Sequence, residues 1–346
     1  MKHPREWMEM RPGGLYCKPG GFFIDPTRRV PLAVITHGHS DHARKGHAKA
    51  VATPDTLAIM ACRLGEGFAG AQAALPYGQT VTLGEARVTL HPAGHILGSA
   101  QVLIEYGGAR IVISGDYKRT PAPSCEAYEP VPCDVFVTEA TFGLPVFHHP
   151  DARGEIGKLL RSLQVFPARA HLTGCYALGK TQRLIAELRE AGYDKPVYLH
   201  RALMPLTQLY EERGASLGPI AAVTPDNSGR LGGEIVLCPP TAFSDQWARA
   251  LPDPVYGTAS GWMQIRARAR RMGGELPLVI SDHCDWPQLI QAIRDTGAQE
   301  IWVTHGAEEA LVHYCRKAGL CAHALSLLGR EAGPDPPEMP VNDCGD

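Results

Sequence analysis

The chain has 346 residues, of which 44% are hydrophobic and 20% charged, and its formal net charge is −2. This composition is ordinary for a globular protein, and the length is sufficient for two lobes. Because the net charge is slightly negative, a polyanionic ligand would require a local basic surface. The first eleven residues are polar and no apolar run is long enough to span a membrane, so we expect a soluble, cytoplasmic protein without a signal peptide.

The ten cysteines include no C-x-x-C pair. We therefore expect free thiols in a reducing compartment and no cysteine-rich zinc site.

Predicted strands and helices follow one another along the chain. The first part predicts a hairpin over 15–25, a helix over 54–63 and strands over 30–36, 79–91, 100–106, 109–114 and 134–138. The second part predicts helices over 154–165, 179–191, 203–213, 286–296 and 307–318, and strands over 197–199, 234–238, 277–281 and 301–304. The alternation from residue 165 onward favours a parallel α/β unit. Residues 331–346 are rich in proline and acidic side chains, which predicts a disordered tail.

A dense group of potential metal ligands follows the strand over 30–36. His37, His39, Asp41 and His42 lie within six residues, in the pattern His-x-His-x-Asp-His. Imidazole and carboxylate are ligands that zinc favours at hydrolytic sites. The alternative is a polar loop whose histidines bond to the backbone.

Three more potential ligands lie at predicted strand ends. His95 is in a glycine-flanked turn, Asp116 follows the strand over 109–114, and His305 follows the strand over 301–304. Taken alone, each residue is weak evidence for a metal site. A strand-end aspartate commonly forms a turn, and a lone histidine is more often hydrogen-bonded than a metal ligand. Together with the histidine loop they supply donors for two ions.

The order of these donors resembles the four motifs of the metallo-β-lactamase fold, which in this chain are Asp25, the histidine loop, His95 and Asp116. Later segments resemble motifs A, B and C of the β-CASP nucleases, the nucleic-acid branch of that superfamily: 138–143 (TEATFG), 281–283 (SDH) and 303–306 (VTHG). Residues 177–180 and 259–263 are similar to segments of the β-CASP insert. The match spans residues 15–325, and 281–286 together with the short length resembles the bacterial DNA-ligase-associated exonucleases most.

The resemblance implies a metallo-β-lactamase αββα sandwich with an inserted β-CASP α/β domain. The core would comprise 1–150 and 271–330, the insert 151–270, and the tail 331–346. The implied metals are two Zn²⁺, with Mn²⁺ as the alternative. The implied ligands are His37, His39 and His95 for the first ion, Asp41, His42 and His305 for the second, and Asp116 as the bridge. Asp25 would orient the histidine loop from behind the ligands, although Asp25-Pro26 would also suit a plain turn.

Two metal ions suit phosphodiester hydrolysis because they activate a shared water and neutralise charge on the phosphoryl oxygens. Asp41, Glu139 and His283 are the candidate catalytic residues. His283 would protonate the leaving oxygen, and Glu139 would hold its ring and raise its pKa. The alternatives are a solvent-exposed acid for Glu139 and a metal ligand or helix-cap neighbour for His283.

The insert provides candidate contacts to substrate phosphates at Ser260, Gly261, Lys180 and Arg266. Arg266 belongs to an arginine cluster with residues 268, 270 and 271, which could equally be solvated surface.

The leading expectation is a zinc-dependent DNA exonuclease, acting 5′→3′ in DNA repair or end processing with DNA ligase and helicase partners. An RNA-processing nuclease of the ribonuclease J or mRNA 3′-end processing kind is the main alternative, favoured by His305 at motif C. A lactamase or thioesterase and a metal-free scaffold subunit are further alternatives.

Overall fold

The computed structural model describes residues 2–271 and 274–325. The tail predicted to be disordered, 331–346, lies outside the described residues. In the described part of the chain, no helix combines the length and the apolar character that crossing a bilayer requires.

Strands dominate the first part of the chain, and strands alternate with helices in the second. In chain order the strands are β1 (Met8–Arg11), β2 (Gly14–Cys17), β3 (Phe22–Ile24), β4 (Leu32–Val34), β5 (His47–Ala52), β6 (Ala69–Ala74), β7 (Thr80–Leu83), β8 (Ala86–Pro92), β9 (Ala100–Tyr106), β10 (Ala109–Ile113), β11 (Val135–Ala140), β12 (His171–Gly174), β13 (Val197–Leu199), β14 (Ile220–Ala222), β15 (Ile235–Cys238), β16 (Val255–Ala259), β17 (Leu276–Leu278), β18 (Glu300–Gly306) and β19 (Cys321–Ala324). The α-helices are α1 (Pro54–Leu64), α2 (Ala152–Val165), α3 (Lys180–Glu190), α4 (Met204–Glu212), α5 (Pro225–Ser228), α6 (Arg266–Arg271), α7 (Trp286–Thr296) and α8 (Glu308–Lys317).

Two mixed sheets pack face to face. The first has the strand order β1-β2-β3-β4-β5-β6, and the second has the order β19-β18-β11-β10-β9-β8-β7. Leu15 and Ile24 of the first sheet share one apolar core with Val88 and Ile104 of the second. The sheets can bury these residues together because alternate side chains of a strand lie on the same face.

Helices cover the outer faces of both sheets. Leu57 and Met60 of α1 pack on the outer face of the first sheet. Leu289 of α7 and Leu311 of α8 pack on the outer face of the second. Thr53 caps α1 by accepting a hydrogen bond from the backbone of Thr56, and Pro54 occupies the first turn, where its missing N–H costs nothing. The four layers are an αββα sandwich, which confirms the predicted fold class.

The third sheet is wholly parallel, with the order β14-β13-β15-β12-β16-β17. Ile156 of α2, Ile185 of α3 and Leu206 of α4 share a buried cluster with the strands of this sheet. This is the α/β unit that the alternation predicts. The sheet extends to Leu278, because β17 pairs with β16, and so continues past residue 270, where the sequence predicts the end of the insert.

Candidate metal centre

The ends of several neighbouring strands deliver polar side chains to one edge of the sandwich. His37 and His39 follow β4, His95 lies in the turn between β8 and β9, and Asp116 follows β10. One ligand atom from each of these four residues lies within 4.8 Å of the others. The structure therefore brings together side chains that are up to 79 positions apart in the chain, a spacing read from residues 37 and 116.

The hydrogen bonds of His95 and His39 fix which ring nitrogen faces the cluster. His95 Nδ1 lies 2.9 Å from the carbonyl oxygen of Asp282, and His39 Nε2 lies 3.3 Å from that of Leu178. A carbonyl only accepts, so these two ring nitrogens carry the proton and donate it. The free lone pairs are then on His95 Nε2 and His39 Nδ1.

His37 is oriented by a relay through Thr36. The Thr36 hydroxyl donates to Asp25 Oδ2 at 2.6 Å, and His37 Nδ1 lies 3.0 Å from the same hydroxyl oxygen. Because the hydroxyl proton goes to the carboxylate, His37 Nδ1 is the donor of the second bond. His37 Nε2 is left buried without a hydrogen-bond partner among the described residues.

The convergence of these lone pairs fits a bound cation. His39 Nδ1 and His95 Nε2 lie 3.1 Å apart, and both present a lone pair. His37 Nε2 and His95 Nε2 lie 3.5 and 3.8 Å from Asp116 Oδ2. Facing acceptors repel one another unless a positive charge lies between them. Three neutral imidazoles and a carboxylate are a ligand set that divalent transition metals accept.

Burial gives these histidines the protonation state that metal binding needs. It lowers the pKa of His37 and of His95 well below the ordinary value, and it lowers the pKa of His39 to about 4. Burial also raises the pKa of Asp116 to about 7, with Glu139 adding to the effect. A cation at this position would favour the carboxylate form again.

A second group of donors adjoins the first. His42 donates from Nδ1 to Asp25 Oδ2 at 2.7 Å, so its Nε2 faces Asp41 Oδ2 at 3.5 Å and Asp116 Oδ2 at 3.6 Å. The His305 ring centroid lies 5.5 Å from that of His42. Burial lowers the pKa of His42, but the surrounding carboxylates, Asp116 first, outweigh it and raise the pKa to about 10. His42 Nε2 therefore faces two carboxylates, which favour a positive charge at this position.

Glu139 and His283 form a buried pair beside Asp116. His283 Nδ1 lies 2.9 Å from Glu139 Oε2, and Glu139 also accepts from the backbone of Tyr117 at 2.8 Å and from the Thr141 hydroxyl. Burial lowers the pKa of His283, but the charge of Glu139 outweighs it and raises the pKa to about 9. The exposed-acid alternative for Glu139 is wrong, since its side chain is 1% exposed.

Glu139 and His283 also belong to a second potential metal group. Ligand atoms of Asp116, Glu139 and His283 lie within 4.8 Å of one another. The ligand alternative for His283 therefore stays open.

Of the four residues predicted to contact substrate phosphates, two are buried and two are at least partly exposed. Lys180 is buried, donates to the Ile280 carbonyl at 2.8 Å and pairs with Asp282 at 2.7 Å, so it supports the fold and is not a surface contact. Gly261 is also buried: a Cβ there would lie 2.5 Å from the Phe142 ring, so the glycine allows close packing. Ser260 is partly exposed and Arg266 is exposed, and both stay predictions.

Two features of the site were not predicted from the sequence. Backbone carbonyls of Leu178 and Asp282 orient the histidines, and a sequence pattern cannot reveal such a contact. The second is a buried ionic group in which Asp282 pairs with Lys180 and with Arg183 Nη1 at 3.0 Å. Lys180 and Arg183 lie one turn apart on α3 and share a helix face, but this spacing does not identify the distant Asp282 as their partner.

Comparison with known proteins finds relatives of this chain. No family model matches it. It is 29% identical over 317 residues to a probable DNA ligase of Opitutus terrae, an alignment that covers 90% of this chain and 30% of that protein. It is 36% identical over 152 residues to the endoribonuclease Ysh1 of Gibberella zeae. That alignment covers 40% of this chain and 18% of Ysh1. Over 127 residues it is 33% identical to cleavage and polyadenylation specificity factor subunit 3 of Dictyostelium discoideum. That alignment covers 36% of this chain and 16% of that protein.

The motif residues and these relatives support a β-CASP protein of the metallo-β-lactamase fold. A crystal structure of a protein of unknown function from Enterococcus faecalis V583 has the same fold, with a TM-score of 0.55 at 13% identity over 81% of this chain and 76% of that one. The chain spans less than a third of the length of each of these curated relatives.

Proposed function

We propose that this protein is a β-CASP metal-dependent phosphodiesterase that degrades DNA from an end. The observation that carries the proposal is the convergence of three imidazole lone pairs on Asp116, next to the Glu139–His283 pair. A metal-free scaffold would have no need of buried, unpartnered ring nitrogens, which are costly without a ligand. A small-substrate hydrolase would have little use for the third sheet, which supplies a second wall beside the metal centre.

Bound metal would supply a hydroxide at neutral pH and neutralise charge on the phosphoryl oxygens. His37, His39, His95 and Asp116 would hold one ion, and Asp41, His42 and His305 would contribute to holding a second. Zinc is the metal we expect, because nitrogen donors dominate the set, and manganese is the alternative.

His283 is proposed to protonate the leaving oxygen. Its Nδ1 is held by Glu139, so the proton available for transfer is on Nε2. With its pKa raised to about 9, the ring is protonated at neutral pH before the reaction. Glu139 keeps its charge because the positive ring, together with its hydrogen bonds, overcomes burial and lowers its pKa.

The choice of DNA rests on the extent of the alignments. The relative described as a probable DNA ligase aligns over 90% of the chain, and so includes the third sheet, whereas the Ysh1 alignment covers 40%. The RNA-processing alternative is supported by the names of those shorter matches. The resemblance to DNA-ligase-associated exonucleases further leads us to propose a DNA ligase and a helicase as partners in repair, and 5′→3′ polarity. Cytoplasmic localisation stays an expectation from the sequence.

The proposed domain organisation follows the sheets. We assign the two packed sheets and their helices to the metallo-β-lactamase core, and the third sheet with α2, α3 and α4 to the β-CASP insert.

The test is digestion of matched DNA and RNA strands, each labelled at the 5′ or the 3′ end, by protein loaded with zinc or with manganese. We expect stepwise loss of DNA from the 5′ end and no cleavage by Asp116→Asn protein. Faster cleavage of RNA would favour the alternative. Nitrocefin hydrolysis exceeding nuclease activity would point to a lactamase.

A further inference from the structure

A row of contacting aromatic rings runs from His283 toward the arginine-rich helix α6. The Phe142 ring centroid lies 6.1 Å from that of His283, and the Trp262 centroid lies 4.7 Å from that of Phe142. The guanidinium carbon of Arg268 lies 3.8 Å from the Trp262 centroid. Phe142 is buried, Trp262 is partly exposed and Arg268 is exposed. These ring contacts therefore lead from the candidate general acid to an exposed planar cation.

The support beneath Arg268 is firmly held. The absence of a Cβ at Gly261 lets the Phe142 ring approach the backbone closely. The backbone N–H of Trp262 donates to the Ser260 hydroxyl at 3.3 Å, and Gln264 donates to the Val146 carbonyl at 2.9 Å. A rigid platform costs little conformational entropy when a ligand binds to it.

The surroundings of Arg268 suit a nucleic acid strand. Arg266, Arg268 and Arg270 are exposed, and none of them pairs with an acidic side chain in the described part of the chain. Leu144 and Val146, on the loop tied to Gln264, are 39% and 56% exposed. Uncompensated positive charge beside apolar surface complements a chain of phosphates with unstacked bases. A stabilising role alone would require neither the neighbouring arginines nor the apolar rim.

We propose that Arg268, whose guanidinium lies over the Trp262 ring, stacks on one nucleobase of the substrate strand near the cleavage site. This inference rests on the proposed nuclease function and adds a requirement to it. Bases inside a duplex are already covered on both faces, so the guanidinium can reach only an unpaired base. The protein would therefore engage a single-stranded end, without reading its sequence, because every base has a π face.

The experiment measures binding of a short, fluorescein-labelled single-stranded DNA by anisotropy, in EDTA so that no cleavage occurs. A single abasic site is moved along the strand one position at a time. For the wild-type protein we expect one position at which the missing base weakens binding by about 5- to 100-fold. Arg268→Lys keeps the charge but loses the plane, so its profile should be flat. Arg270→Lys, a change of the same kind on the same helix, should keep the wild-type profile.

Either of two results would overturn the inference: a flat wild-type profile, or an Arg268→Lys profile that matches the wild type. Both variants are exposed substitutions, and circular dichroism would verify their folding. Cleavage is measured separately with metal. A position effect without any nuclease activity would refute the proposed function and leave the stacking site standing. Cleavage without a position effect would refute the stacking site and leave the proposed function standing.

Discussion

Replacing Asp282 by asparagine tests the buried ionic group behind the metal centre. Asp282 contacts Lys180 at 2.7 Å and Arg183 at 3.0 Å, and the three side chains are 5–8% exposed. Removing one partner of a buried pair leaves an uncompensated charge and costs about 3–5 kcal/mol. Arg183 keeps Glu187 at 3.2 Å, whereas Lys180 keeps only a carbonyl oxygen. Because Arg183 stays paired, we expect the free energy of unfolding to fall by about 3 kcal/mol, the lower end of that range.

The assay is urea unfolding of the metal-free protein, with Glu275→Gln as the matched control. Glu275 pairs with Arg169 at 2.9 Å but is 50% exposed, so its loss should cost about 0–1 kcal/mol. Adding Lys180→Met to Asp282→Asn should recover part of the loss, because the unpaired ammonium is removed. If Asp282→Asn costs no more than Glu275→Gln, the reasoning is refuted.

The pH dependence of this effect has a definite sign. Burial would raise the pKa of Asp282, but Lys180 and Arg183 outweigh it and hold the pKa well below the ordinary 3.8. The stabilisation is therefore fully present above that ordinary value and is lost only as the pH falls toward the folded-state pKa. The difference between wild type and variant should stay constant from neutral pH down to mildly acidic pH.

Three further predictions concern the site and the arginine helix. Asp25→Ala removes the acceptor of three hydrogen bonds that hold the ligand loop. Zinc affinity, measured by chelator competition, should therefore fall about 10- to 100-fold. An unchanged affinity would mean that Asp25 is not needed to orient the loop. His283→Gln should lower the cleavage rate by about 10²–10⁴ at unchanged metal content, and loss of metal would instead make His283 a ligand. Arg266→Gln should reduce the slope of log affinity for DNA against log salt by about 1. A slope equal to that of the wild type would mean that Arg266 does not contact a phosphate.

The elements that the sequence predicts well are those whose local pattern and tertiary role agree. α7 begins and ends where predicted, because Asp285 caps it and Gly297 ends it in a left-handed conformation. β5 and β6 were missed, since their alanine-rich sequences have weak strand propensity and pair only because β4 provides a parallel edge. The predicted strand over 79–91 is two strands, β7 and β8, separated by a turn at Gly84 with φ of 56°.

The candidate site shows the same division. The positions of His37, His95 and Asp116 at strand ends follow from the sequence, because a sheet edge collects the loops of adjacent strands. The role of Lys180 was assigned wrongly, since its partner Asp282 is 102 positions away, a separation read from the numbering. Pairing across such a distance depends on how the third sheet packs against the sandwich, and a local pattern does not contain that information.

The central claim is that His37, His39, His95 and Asp116 hold a divalent cation. Anomalous diffraction at the zinc edge, from crystals of protein purified without chelator, tests it most directly. We expect a peak bounded by His37 Nε2, His39 Nδ1, His95 Nε2 and the Asp116 carboxylate, with a second peak toward His42. Density without a peak among these atoms, in crystals given zinc, would contradict the claim.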